Sequence, residues 1–383
     1  MSENKNPIIQ VKNLGVNIKM DEGLLTPVRG VDFYIRPGET LGLVGESGCG
    51  KSLTSKAILA INDKKCVSTG QILFRPDDED PVDILALERV SKRKPLMPWT
   101  ITELLEDRIS DISRYEASRI VGNPIRPIPG KKKEAIRQLR AIRGKQISMI
   151  YQEPMVSFSP MYTIGNQINE CTLLHITKDK VRAKEITLEM MKLVGIANAE
   201  KRYDQYPHEF SGGMLQRALI AMALVCKPRL LIADEPTTAL DVTIQAQILE
   251  LMQSLQKELG MAILFITHDL GTVAKMCDRV AVMYLGKIVE TGTAREIYKN
   301  PQHPYTRGLM GSVHKIGTLK QDRLFSIEGT VPLALNLGPG CGFYDRCDAR
   351  IEGLCDVQDP ALTACGDGQH CVACHRCQRK EEA

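Results

Sequence analysis

Residues 45–52 read G-E-S-G-C-G-K-S, and no other eight residues constrain the fold of this chain as tightly. The pattern G-x-x-x-x-G-K-[ST] follows an apolar run at 41–44 that reads as a strand. It opens into 53–61, which reads as a helix. Glycine is needed because backbone N–H groups can wrap a polyphosphate only where no Cβ blocks the approach. The helix N-terminus adds partial positive charge. Gly45, Glu46, Ser47, Gly48, Cys49, Gly50, Lys51, Ser52 and Leu53 are therefore the candidate binding residues. Lys51 is placed to reach the β- and γ-phosphates, and the Ser52 hydroxyl to ligate Mg²⁺. A loop in this context binds a nucleoside triphosphate.

The second half of the chain narrows the chemistry. Residues 229–236, R-L-L-I-A-D-E-P, form an apolar strand ending in two carboxylates. Asp234 suits a water-mediated hold on Mg²⁺, and Glu235 suits polarising the water that attacks the γ-phosphate. That division of labour fits phosphoryl transfer, in which positioning and charge neutralisation do most of the catalysis. Alone, such a pair is equally a solvated turn. Upstream, F-S-G-G-M-L-Q-R at 210–217 opens a helix with Leu215, Leu219 and Met222 on one face. Downstream come Ala239-Leu240-Asp241 and, after a strand at 262–266, Thr267-His268-Asp269. Each piece is weak alone; their order and spacing are not.

With these motifs in order, the chain resembles the nucleotide-binding subunit of an ATP-binding-cassette (ABC) transporter over roughly residues 8–375. The resemblance makes 45–52 the Walker A loop and Gln152, in Y-Q-E-P, the Q-loop glutamine. Ser211-Gly212-Gly213 become the signature and 230–234 Walker B, with Glu235 following. Asp241 ends the D-loop and His268 is the switch histidine. It implies Mg²⁺ held by Ser52, Gln152 and Asp234, and catalysis by Glu235, His268 and Gln152. S-G-G-M at the signature, T-T-A-L-D-V-T-I-Q-A-Q-I after Walker B and N-P-Q-H-P-Y-T-R-G-L at 300–309 are similar to the oligopeptide/dipeptide importer ATPases. That family stacks adenine on an aromatic side chain shortly before the phosphate loop. Here no aromatic residue precedes Phe33, and Asn17-Ile18 occupy the expected place.

Composition sets bounds. A formal charge of +4, one Trp and seven Phe speak against a nucleic-acid surface. No apolar run approaches the roughly 18 residues needed to cross a bilayer. The N-terminus M-S-E-N-K-N-P lacks the apolar segment of a signal peptide. A cytosolic chain that meets the membrane through partners is expected.

Residues 75–138 read as an insertion of open role: an acidic Pro-bounded loop, a helical stretch at 101–121 and a basic run at Lys131-Lys132-Lys133. Residues 153–228 are expected to form the helical subdomain, with Met155, Phe158, Met161 and Tyr162 either core or a contact for a membrane subunit. Ile244, Ile248, Leu251 and Leu255 form one stripe of a later helix, which Gly260 stops.

Seven of the twelve cysteines lie between 341 and 377. Reduced cytosolic thiols that cluster point to metal. Structural zinc, a c-type haem on C-V-A-C-H and an iron–sulfur cluster on four thiolates are all open from the residues, although covalent haem needs an exported compartment. The family's tail carries G-C, R-C, C and C-H, which the resemblance places at Cys341, Cys347, Cys355 and Cys374 and which implies a 4Fe–4S cluster, with Zn²⁺ as the alternative. Cys365, Cys371 and Cys377 exceed that pattern, so Cys371 or Cys377 could replace Cys374. The tail lies outside every nucleotide motif, and a structural or docking role is expected for it.

The expected architecture is an α/β P-loop cassette (1–300) with an antiparallel β-subdomain and a helical subdomain, followed by a Cys-rich metal-binding extension (301–383). The resemblance implies ATP and Mg²⁺, a second, paralogous ATPase subunit, two membrane permeases and an external substrate-binding protein. It places the chain at the cytoplasmic face of the membrane, powering import of di- or oligopeptides. The alternatives are an ATPase of nucleic-acid repair or translation with a metal cluster, or an importer subunit for nickel or sugars.

Overall fold

The computed structural model describes residues 6–76, 80–92, 132–238, 240–312, 327–365 and 370–381. The helical stretch expected at 101–121, and Lys131, lie outside these. Among the described residues, twelve strands form two sheets. β1 (Ile9–Met20), β2 (Gly23–Ile35), β4 (Cys66–Phe74) and β5 (Val82–Asp83) make an antiparallel sheet in the order β2-β1-β4-β5. The larger sheet contains β3 (Thr40–Val44), β6 (Ile147–Ile150), β7 (Leu230–Asp234), β8 (Ala262–Thr267), β9 (Arg279–Tyr284), β10 (Lys287–Thr293), β11 (Thr363–Cys365) and β12 (His370–Val372). Its order is β11-β12-β10-β9-β3-β8-β7-β6.

The core of that sheet, β9-β3-β8-β7-β6, is parallel. Its strands are unbroken apolar runs because both faces are covered. The period-two alternation sorts them: Leu230 and Ile232 pack with the β-rich side, Leu231 and Ala233 with the helical side. Because the strands are parallel, their carboxyl ends share one edge. β3 delivers the phosphate loop there, β6 Gln152, β7 Asp234 and β8 His268. Ligands of open parallel sheets bind at that edge.

The helical subdomain is built from α1 through α3 of its own segment: α1 (Ile164–His175), α2 (Lys180–Leu193) and α3 (Gly212–Leu224). Thr163, Asp179 and Ser211 cap them with side-chain oxygens. Leu215 and Leu219 are buried as the periodicity predicts. Phe158 is core, whereas Met161 and Tyr162 are exposed at 77% and 62%. The following α4 (Val242–Leu259) buries Ile248 and Leu255 and ends at Gly260 in the left-handed region.

The sheet does not stop at the division expected near residue 300. β12 pairs antiparallel with β10, and β11 with β12, so the tail contributes two outer strands. Residues 334–336 also hydrogen-bond the tip of the β1–β2 hairpin: Thr26 N–H donates to Ala334 O at 2.8 Å and Asn336 N–H to Leu24 O at 3.1 Å.

Candidate functional site: an ATP pocket and a cysteine pocket

The phosphate loop leaves β3 and enters the helix Lys51–Ile58. Its glycines answer different demands. A Cβ on Gly45 would stand 2.2 Å from the Met283 carbonyl oxygen, and one on Gly50 2.1 Å from that of Pro27. These two are needed where backbones meet. Gly48, at φ +82°, has no atom within 4 Å of its missing Cβ, so conformation and open approach decide it. Lys51 is buried, and its Nζ donates to the Gly45 and Glu46 carbonyls at 2.8 and 2.9 Å. Cys49 is buried beneath the loop, which pushes its thiol pKa up. The turn between β9 and β10 braces the same loop, with Gly286 N–H donating to Cys49 O at 3.0 Å.

The motifs converge as their order predicts. Ser52 Oγ lies 3.2 Å from Asp234 Oδ1. Burial pushes the Asp234 carboxyl up, with Ser52 and Lys51 opposing and Glu235 reinforcing the shift. Glu235 is held from three sides. Gln152 Nε2 donates to Oε2 at 3.0 Å, Thr238 Oγ1 to the same oxygen at 3.0 Å, and His268 Nδ1 lies 3.2 Å from Oε1. Its φ of 48° is costly for a residue with a Cβ, and it aims the carboxylate off the end of β7. The Glu235 amide is tied to Ile266 O at 2.9 Å. Ser211 and Gly212 are exposed at the start of α3, and Asp241 caps α4.

Several contacts around the site escape sequence reasoning. Gln216, on α3, donates to the Pro236 carbonyl at 2.6 Å and links the signature helix to the Glu235 turn. Tyr305 accepts the Glu46 amide at 2.9 Å. Arg346 forks onto the Glu46 carboxylate at 2.8 and 3.1 Å. The last two correct the expectation that the tail lies outside every nucleotide motif. Each is a contact between residues some 260 to 300 positions apart, and no local pattern announces them. At the place of the missing aromatic, Ile18 packs partly buried against the β-side core.

The tail gathers its cysteines without disulfides. Cys341, Cys347, Cys355 and Cys374 line one small pocket with His375. Backbone amides point at their sulfurs: Phe343 to Cys341, Ala349 to Cys347, Arg376 and Cys377 to Cys374, and Ile351 to Cys355 at 3.4 Å. Burial lifts Cys341 to about 11 and also raises Cys347. Cys374 moves the other way, because the Cys377 thiol donates to it. Among the described residues, no three His, Cys, Asp or Glu side chains converge closely enough to hold a metal ion.

A phosphate loop, an acidic strand end, a carboxylate held by a glutamine and a histidine, and a glycine-flanked signature helix define an ATP-binding cassette. The family described as ABC transporter matches residues 28–97 and 116–238, and the oligopeptide/dipeptide transporter C-terminal region matches 289–355. A putative peptide import ATP-binding protein of Brucella ovis is 41% identical over 377 residues, covering 96% of this chain and 97% of that protein. The dipeptide transport ATP-binding protein DppD of Bacillus subtilis is 42% identical, with 98% and 97% covered. Among solved structures, cbiO1 of Clostridium perfringens, part of an ABC transporter complex, aligns with a TM-score of 0.53 at 25% identity over 77% of this chain and 92% of that one. The chain belongs to the ATP-binding subunits of oligopeptide/dipeptide-type ABC importers, and it is an ATPase. Among the described residues, no helix is long and apolar enough to cross a membrane.

Proposed function

We propose that this chain hydrolyses ATP to power import of di- or oligopeptides through partner permeases at the cytoplasmic face of the membrane. The observation that carries the catalytic half is the convergence of Gln152, Thr238 and His268 on Glu235 beside the Ser52–Asp234 pair. The peptide half rests on the names of the relatives and on the family match at 289–355. Loop amides and Lys51 take the phosphates. Ser52, Asp234 and Gln152 would hold Mg²⁺, which when bound would neutralise developing phosphate charge. Glu235, kept in place by its three partners, accepts the proton of the attacking water. His268 bears on the γ-phosphate, and Gln152 connects this carboxylate to the segment bearing exposed Met161 and Tyr162, where a permease would dock.

Residues 1–300 act as the cassette and 301–383 as the extension. A second, paralogous cassette supplies the signature opposite this phosphate loop, and Ser211, Gly212 and Gly213, the first two exposed, serve the partner's ATP in return. An external binding protein delivers the substrate. Glu235→Gln should lower turnover about a thousandfold while leaving MgATP affinity nearly unchanged, because the carboxylate acts on water. Near-parental hydrolysis by Glu235→Gln, assayed with the partner cassette and permeases, would overturn the assignment.

The extension carries a second proposal, that Cys341, Cys347, Cys355 and Cys374 hold a 4Fe–4S cluster. In its favour are four thiols on one pocket, each met by a backbone amide; each would ligate a different iron, so they need not converge on a single ion. N–H donors of this kind stabilise cluster sulfur and tune its potential. Cys374 suits the fourth position better than Cys377, because it lines the same pocket as the other three thiols and Cys377 does not.

A further inference from the structure

Glu46 is an acid in the second position of a loop that must hold a polyphosphate, where an uncompensated carboxylate would repel its ligand. Its neutralising partner comes from the tail. Arg346 Nη1 lies 2.8 Å from Glu46 Oε2 and Nη2 3.1 Å from Oε1, a parallel two-point fork. Two further donors are used as well, with Nε on Glu328 O at 2.9 Å and Nη2 on Gly329 O at 3.1 Å. The Arg346 side chain is only 6% exposed, and its guanidinium sits 5.8 Å from the centre of the Tyr284 ring. A fork with this many fixed partners is rigid, and it holds Glu46 in one place.

Glu46 in turn touches the ATP machinery through its main chain. Its carbonyl accepts from Lys51 Nζ at 2.9 Å, and its amide donates to Tyr305 Oη at 2.9 Å. Arg346 is therefore one residue away from the lysine that reaches for phosphate. We propose that Arg346 is a positioning residue of the ATP site: it cancels the charge of Glu46 and fixes the phosphate loop in the shape that accepts a polyphosphate. This rests on residues 45–52 being the phosphate site. Arginine is required because a lysine ammonium cannot bridge both carboxylate oxygens while holding two carbonyls.

A purely structural latch between tail and cassette predicts something different from charge cancellation, and binding measurements on the full chain separate the two. MgATP and MgADP affinities are compared for the parent, Arg346→Gln, Arg346→Lys, Glu46→Gln, the Glu46→Gln/Arg346→Gln double variant and Lys51→Ala. Arg346→Gln should weaken MgATP about tenfold, and MgADP less, since repulsion grows with phosphate charge. The double variant should recover most of that loss, Arg346→Lys should recover part, and high salt should shrink the deficit. Equal losses for both nucleotides with no recovery in the double variant would overturn the proposal, as would parental MgATP affinity in Arg346→Gln. Should Arg346→Gln not fold, the double variant and Arg346→Lys carry the same comparison. Parental affinity in Lys51→Ala would instead overturn the phosphate-loop assignment itself.

Discussion

The phosphate loop and the cysteine pocket are both lined by main-chain amides, yet they are assembled in opposite ways. The loop draws its donors from eight consecutive residues, and distant parts only brace it: the carbonyls of Met283 and Pro27, the amide of Gly286, Tyr305 and Arg346. The pocket draws its sulfurs from four places between 341 and 374, and its braces are local amides two to four residues from each sulfur. A contiguous cradle is fixed by a turn and needs the fold to hold it still. A discontinuous one needs the fold to exist at all.

That contrast can be broken experimentally, most sharply at the pocket. Anaerobically prepared protein should be brown and carry about four irons per chain. Serine at Cys341, Cys347, Cys355 or Cys374 should remove them all, while Cys371→Ser and Cys377→Ser keep them; iron analysis and visible absorption report the outcome. Stoichiometric zinc without iron would make the site a structural Zn²⁺ centre. At the loop the expected effect is graded. Gly50→Ala forces a Cβ against the Pro27 carbonyl at a φ of 105° and should cost ~3 kcal/mol of stability or more. Gly48→Ala, in open space, should cost only ~1 kcal/mol. Equal denaturation midpoints for the two variants would mean that the bracing is not rigid.

A third effect, dependent on pH, lies between the two regions, at His303. It is fully buried, accepts the Tyr305 amide at Nδ1 (3.1 Å) and caps the helix that carries Tyr305. Burial lowers its pKa from 6.5 to about 4, outweighing the nearby Glu290 carboxylate. Between those values the unfolded chain binds a proton that the folded chain does not. Stability should therefore fall on acidification from pH 6.5 to about 4, by up to ~1.4 kcal/mol per pH unit. His303→Asn keeps a capping oxygen and should flatten that slope in pH-dependent melts. An unchanged slope would place the titration elsewhere.

Much of the ATP site was legible because its pieces sit at strand ends. Apolar runs predict the strands, and the polar residue that follows each run is carried to one edge once the strands are parallel. Asp234 and His268 follow from that rule, whereas Gln152 is placed by the family resemblance alone; the structure brings Gln152 and His268 onto Glu235. The Tyr305 and Arg346 contacts with Glu46 were not legible, because each joins positions far apart and nothing local pairs Glu46 with either. Nor were β11 and β12. Three residues each, T-A-C and H-C-V, are too short to show a period. Ile18 marks the opposite case. The departure from the family is plain in the sequence, and the structure packs that residue, partly buried, against the core.

The pairing of β12 with β10 also has a consequence for biosynthesis. The strand that covers the edge of β10 begins at residue 370, whereas β10 ends at 293. At ordinary elongation rates the ribosome needs on the order of 4–15 s to cross that interval. Throughout it, a nearly finished nascent cassette presents an open strand edge of the kind that recruits other chains. A stop codon or proteolytic cut in the interval would make that exposure permanent, so truncated products should be found among aggregates or bound to chaperones.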